Sequence, residues 1–224
     1  MSVILAIASH PDDETLGCGG TLARHIEEGD DVHVICMTNG VSSRGQDLLA
    51  IKARQLAMCK AMKSLMVQSY QLLDYPDNKM DSLPLLEIVQ GIEILINKIK
   101  PNIVYTHFYG DLNIDHQITY RAVMTACRPQ PGFSVGEINC FEIPSSTNWE
   151  GSNQSIFHPN MFIDITNYWK YKKRALKDYK IEMKSVPHYR SIDSLDVLSR
   201  MRGYSHGLER AEAFVTVRKI KFKG

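Results

Sequence analysis

Short apolar runs alternate with longer stretches of helical periodicity along this 224-residue chain, and that alternation limits the fold more than any other feature. Strand–helix–strand repetition predicts a parallel sheet wrapped by helices, because parallel neighbours need a crossover long enough to hold a helix. The run from Val3 to Ser9 suits a central strand buried on both faces. Further strands are expected at 32–38, 71–73, 103–106, 138–143, 161–165 and 213–217. Helices are expected at about 15–28, 47–65, 82–99, from 115 to before Pro129, and 167–184. In the third of these, Leu85, Ile88, Val89, Ile92, Leu95, Ile96 and Ile99 keep one apolar face. The expectation is an α/β fold: one Rossmann-like domain over residues 1–224, mostly parallel, with helices on both faces.

Composition removes several classes of function. A formal charge of +1 gives no electrostatic case for nucleic acid or an anionic membrane. No segment approaches the ~20 apolar residues of a membrane span, and the N-terminal run reads as a core strand with no leader pattern. The 5 cysteines are scattered, without a CxxC pair, which argues against a disulfide frame and for the reducing cytoplasm.

The residues His10-Pro11-Asp12-Asp13-Glu14 directly follow the first strand. In open α/β sheets ligands bind outside the carboxyl ends of the strands, so this strand delivers a histidine and two carboxylates to a binding position. His10 and Asp13 can bite one cation while Asp12 stays free for proton transfer. Catalytic zinc takes three protein ligands and leaves a fourth position for water. The best third ligand is His116, in the segment Gly110 to His116 that follows the fourth strand as His10 follows the first. Such a two-histidine, one-carboxylate set suits zinc, and iron(II) or another divalent ion also fits. Asp115 is positioned to accept from a ligand's ring nitrogen. A helix cap would explain HPDDE locally. It does not explain a second acid–histidine pair at another strand end.

At these residues the chain resembles the LmbE/PIG-L family of zinc-dependent N-deacetylases. His10 to Glu14 matches the family's signature, and Asp115-His116 resembles its second metal motif. Gly19-Gly20, Arg54, Asp77-Asn78, Pro187 to Ser191, Arg202-Gly203 and Ala211 to Phe214 resemble further segments. The resemblance implies His10, Asp13 and His116 as metal ligands, Asp12 as general base, and hydrolysis of an N-acetylated amino sugar or sugar conjugate. It also implies substrate contacts from Arg54, Asp77, His188 and Arg190, and a homo-oligomer, since related proteins assemble symmetrically. Many members carry a histidine three residues before the last ligand to polarise the substrate carbonyl. Asn113 stands there in this chain, so that duty falls to His107 or to the Asn113 amide.

Other features have plainer readings. Gly17 to Gly20 lacks the GxGxxG spacing, and close helix–strand packing explains it better than a dinucleotide site. Cys18, His25 and His33 read as structural, and His158 and His206 as loop residues. Arg54 could otherwise be a surface charge and Asp77 a turn residue. Arg128, Glu142 and Ser145 to Thr147 are weaker substrate-side candidates. Lys170, Lys172, Lys173, Arg174, Lys177 and Lys180 form a solvated helix face by default. The same mechanism on another acyl group or carrier is a near alternative. A non-catalytic sugar- or nucleotide-binding module and a nicotinamide oxidoreductase are the rivals from other classes.

Overall fold

Ile4, Leu5, Ala6, Ile7 and Ala8 are completely buried, which requires neighbours on both edges and both faces of their strand. The computed structural model, which describes residues 1–45, 47–151 and 156–221, supplies them. The strands are β1 (Val3–Ala8), β2 (Asp31–Thr38), β3 (Ser69–Tyr75), β4 (Ile103–His107), β5 (Glu137–Phe141), β6 (Met161–Asp164) and β7 (Ala211–Lys219). They form one sheet in the order β3-β2-β1-β4-β5-β7-β6. The first five strands in that order pair in parallel, and β7 runs antiparallel between β5 and β6. The fold is therefore the expected single-domain, mostly parallel α/β arrangement.

Alternate residues of β1 serve opposite layers, as strand geometry requires. Ile4, Ala6 and Ala8 pack with Leu22 of α1 (Asp13–Glu27), Met58 of α2 (Leu48–Ser64) and Leu176 of α5 (Trp169–Asp178). Leu5 and Ile7 pack with Ile88 and Ile92 of α3 (Leu85–Ile99) and Val123 of α4 (Ile114–Ala126). From β1 the chain winds outward through β2 and β3, then returns to lay β4 on the other side of β1. The strand order reverses between β1 and β4, so a crevice opens at their carboxyl ends.

Helix α1 is irregular at Cys18 (φ −141°, ψ 17°). Beyond the irregularity, the amides of Gly20 and Thr21 donate to the Glu212 carboxylate at 3.0 and 2.7 Å. Lys172 Nζ completes the cluster, 2.6 Å from Glu212 Oε1 and 2.8 Å from the Leu16 carbonyl. Lys172 therefore departs from the expected solvated face: it is buried, while Lys170, Lys173, Arg174, Lys177 and Lys180 are exposed. The glycines of α1 serve packing. A Cβ on Gly17 would come within 2.4 Å of the Phe141 ring, and one on Gly20 within 2.9 Å of Ile165.

Two helix ends and one whole helix depart from expectation. α3 starts at Leu85, after Pro84 has taken an extended ψ of 126°, instead of at 82. α5 ends at Asp178 instead of 184, because Tyr179 turns its hydroxyl onto Glu14 Oε1 (2.9 Å) and Glu182 turns inward. Helix α6 (Ile192–Tyr204) was not expected. Its buried face is Leu195, Ser199 and Gly203 while Val197 and Met201 lie in solvent, so no apolar stripe marks it. All five cysteines are unpaired. Among the described residues no helix is long and apolar enough to cross a membrane.

Candidate metal centre

The crevice at the β1–β4 seam collects the polar residues singled out in the sequence. β1 ends in a tight turn, with the Asp13 amide donating to the His10 carbonyl at 3.1 Å. Asp12 takes a left-handed backbone there (φ 128°, ψ −27°), a conformation costing on the order of 1–3 kcal/mol and found chiefly where function demands it. The Asp12 amide is anchored by Glu14 Oε2 at 3.0 Å. Across the seam, Asn113 caps α4, its Oδ1 accepting from the amides of Asp115 (2.8 Å) and His116 (3.4 Å). The cap fixes the first turn, from which His116 projects.

Three donor atoms converge. His10 Nδ1 lies 3.0 Å from Asp13 Oδ2, His116 Nε2 lies 3.2 Å from the same oxygen, and the two nitrogens are 3.3 Å apart. A tetrahedral ion with bonds of about 2.0–2.1 Å separates its ligands by about 3.3 Å, so this triangle has the dimensions of three ligands around one cation. The second oxygen of Asp13 is buried without a hydrogen bond. Burial lowers the pKa of both rings, yet the surrounding carboxylates carry His10 up to about 9 and His116 up to about 10. That is the potential of a site built for positive charge. The donor set fits zinc or iron(II).

The outer nitrogens of both histidines face carboxylates. His10 Nε2 is 3.2 Å from Asp115 Oδ2 and 3.4 Å from Asp77 Oδ1. His116 Nδ1 is 3.0 Å from Asp111 Oδ1, and Asp111 Oδ2 accepts from Ser146 (2.8 Å) and Thr147 (2.5 Å). Such acceptors fix which nitrogen of each ring points inward. The Asn78 amide donates to Asp115 Oδ2 at 2.7 Å, and Ser43 donates to Asp77 through its amide (2.9 Å) and hydroxyl (2.5 Å).

Asp12 stands beside the triangle between two guanidinium groups. Arg54 Nη2 is 3.2 Å from its Oδ1, and Arg190 Nη1 donates to its Oδ2 at 3.2 Å. Burial raises its pKa, against the pull of both arginines. Arg54 is thus a buried residue of the site and no surface charge. Arg190 also donates to Ser145 (2.8 Å), and its amide donates to His188 Nδ1 (3.0 Å). The His188 ring meets Trp149 edge-on at 5.4 Å.

His107, one of the two residues left open for polarising the carbonyl, stands behind the ligand rings. It is completely buried, stacked 3.9 Å behind His116, and its Nε2 accepts the Ser9 amide at 2.8 Å. Burial drives its pKa well down, so the ring is neutral, and its Nε2 lies 3.6 Å from Asp13 Oδ2. Asn113 is half-buried, with Nδ2 donating to Asn78 Oδ1 at 3.1 Å.

Weaker candidates divide. Ser145, Ser146 and Thr147 support Arg190 and Asp111, as above. Glu142 is occupied by Arg202 at 2.9 and 3.0 Å, and Arg128 pairs with Glu93 of α3. His25 and His33 pair with Asp30 and Asp31, and His206 stacks on Phe162. Two residues were missed. Asp111 carried a signal, an acid in the loop that leads into the helix bearing His116. Glu182 carried none, since only tertiary structure brings it to Arg54.

The profile of the family described as PIG-L: GlcNAc-PI de-N-acetylase matches residues 5–127. The uncharacterized deacetylase YaiS of Escherichia coli is 34% identical over 183 residues, covering 79% of this chain and 90% of YaiS. The 1D-myo-inositol 2-acetamido-2-deoxy-alpha-D-glucopyranoside deacetylase of Rhodococcus erythropolis is 31% identical, over 58% of this chain and 56% of that protein. The 4-oxalmesaconate hydratase of Pseudomonas putida is 24% identical over 77% and 71%. Among solved structures, TT1542 of Thermus thermophilus superposes with a TM-score of 0.79 at 23% identity, covering 100% of this chain and 98% of that one. The N,N'-diacetylchitobiose deacetylase of Pyrococcus horikoshii gives 0.78 at 20% identity, covering 97% and 84%. Both confirm the fold.

Proposed function

The chain belongs to the PIG-L family, and from that premise we propose that it is a zinc-dependent hydrolase removing the N-acetyl group of an amino sugar or sugar conjugate. The observation that carries this reading is the triangle of His10 Nδ1, Asp13 Oδ2 and His116 Nε2, with edges of 3.0–3.3 Å. These three residues hold the ion; iron(II) satisfies the same donors. When bound, the ion lowers the pKa of a water toward ~7 and acts as a Lewis acid toward the amide carbonyl.

The chain's own residues supply the rest. Asp12 accepts the proton of the attacking water at Oδ1, the oxygen left without a hydrogen bond. It returns that proton to the departing nitrogen, so one water and one amide become acetate and a free amine. Arg190 holds the Asp12 carboxylate by Oδ2 and Arg54 faces Oδ1 without a hydrogen bond, while Asp111, Asp115 and Asp77 hold the ligand rings. With His107 sealed behind His116, carbonyl polarisation falls to the Asn113 amide, an effect worth about 2.7–4 kcal/mol in comparable oxyanion holes. His188 and Arg190, on the 185–191 segment, contact the sugar or its carrier.

The test is metal content per chain for wild type and His116→Ala, with acetate release from N-acetyl sugar conjugates. About one zinc, lost in the variant, with acetate released only by the loaded protein, supports the reading. Equal metal in both proteins overturns the ligand set. The hydratase among the relatives motivates a second reading, water addition to an unsaturated acid. It uses the same activated water but frees no amine, so product analysis separates the two.

A further inference from the structure

We propose that Glu182 is a positioning residue that, through Arg54, keeps Oδ1 of Asp12 open for proton transfer. The inference rests on the assignment of Asp12 as the base. Asp12 Oδ1 is buried and accepts no hydrogen bond, an expensive condition for a carboxylate oxygen unless a reactant is to reach it. The nearest cation is Arg54, whose guanidinium is shared between two carboxylates. Its Nη1 lies 2.6 Å from Glu182 Oε1, and its Nη2 lies 3.2 Å from Asp12 Oδ1. The closer contact goes to Glu182.

Arg54 and Glu182 are each only 4% exposed, so water cannot stand in for either partner. The Arg54 guanidinium is stacked 5.7 Å over the Tyr179 ring. Glu182 is steadied from its other side by Arg44 at 3.2 and 3.3 Å. Arg190 meanwhile occupies Oδ2 of Asp12. The carboxylate is therefore clamped by one oxygen and free of hydrogen bonds at the other, and that freedom depends on Glu182 holding the Arg54 N–H groups out of line with Oδ1. Without the Glu182 charge, the guanidinium has one anionic neighbour left. It then closes on Oδ1 and takes the lone pair that the water's proton needs.

The experiment compares wild type, Glu182→Gln, Arg54→Met, the double variant and Asp12→Asn as zinc-loaded full-length proteins. The assay is acetate release, with zinc per chain and a crystal structure of Glu182→Gln alongside. Expected for Glu182→Gln is a kcat lower by about tenfold, a part of the 10²–10⁴ that a base supplies. KM and zinc content stay unchanged, and Arg54, already 3.2 Å from Asp12 Oδ1, turns an N–H onto that oxygen in hydrogen-bonding geometry. In the Arg54→Met background the Glu182 substitution adds nothing further. Should Glu182→Gln fail to fold, Glu182→Asp keeps the charge, withdraws it by one methylene, and gives the same direction. A kcat within twofold of wild type overturns the proposal, as does a loss that only follows zinc content or folded fraction. Wild-type turnover in Asp12→Asn removes the base assignment itself. An inactive Asp12→Asn beside a fully active Glu182→Gln removes only the role of Glu182.

Discussion

Replacing Glu212 with glutamine strikes the cluster that repairs α1, and its cost can be worked from the contacts. Glu212 Oε1 accepts from Lys172 Nζ and the Gly20 amide, while Oε2 accepts from the Thr21 amide. A glutamine carbonyl oxygen can keep the first two. Its amide nitrogen then faces the Thr21 amide, donor against donor, at a cost of about 1–3 kcal/mol. Lys172 loses its counter-charge in a buried position, and breaking a buried pair from one side costs about 3–5 kcal/mol. The two terms share one side chain and do not add fully, so about 4 kcal/mol is expected. For a domain of this size, at roughly 2–4 °C per kcal/mol, the melting temperature falls by about 10 °C. Calorimetry on Glu212→Gln and on Lys172→Met/Glu212→Gln tests the argument. The double variant carries no stranded charge and should recover about half of the loss, on the same bookkeeping. A fall below about 3 °C, or a double variant no better than the single one, refutes the reasoning.

Three further outcomes follow from the site. Asp12→Asn should keep its zinc and lose about 10²–10⁴ in kcat, measured as acetate release at matched metal content; asparagine also accepts the left-handed backbone better than alanine. Asp111→Ala frees the outer nitrogen of His116 and should weaken zinc binding about 10–100-fold, read by competition with a chromophoric chelator. In the metal-free protein, neighbouring carboxylates hold His10 at about 9 and His116 at about 10. Both rings are then protonated at pH 7 and must release their protons to ligate, so zinc binding frees about two protons there and weakens as pH falls. Calorimetric titration in buffers of different ionisation enthalpy counts them, and a count near zero contradicts the ligand assignment.

What was legible in the sequence was local. HPDDE sits in one turn, and Asp115-His116 in the first turn of one helix, so spacing and flanking strands sufficed to find them. The parallel sheet was legible because β1 is apolar along its whole length and β2 and β4 carry apolar runs between their polar residues. Helix α6 escaped because Ser199 and Gly203 make its buried face and leave no hydrophobic period. Lys172 escaped because a lysine meets a buried carboxylate only when β7 folds back beside α1. The sequence left carbonyl polarisation open between His107 and Asn113, and the place of His107 was hidden for a related reason. Its position after a strand matched a site residue, but only the stack on His116 and the bond from Ser9 reveal that it faces inward.

Most helices rest on a sheet through a layer of side chains that yields under load. At Gly17 and Gly20 that layer is missing, and the backbone of α1 meets Phe141 and Ile165 directly. The turn bearing His10, Asp12 and Asp13 is therefore mounted on a stiff seam, since close-packed interiors compress little. Amides of this helix should rank among the slowest to exchange with solvent. Any accommodation to substrates of different shape then falls to the opposite wall, where Ser145, His188 and Arg190 sit on turns and bends and Trp149 ends a single 3-10 turn, and substrate range should drift there while the His10 turn stays fixed.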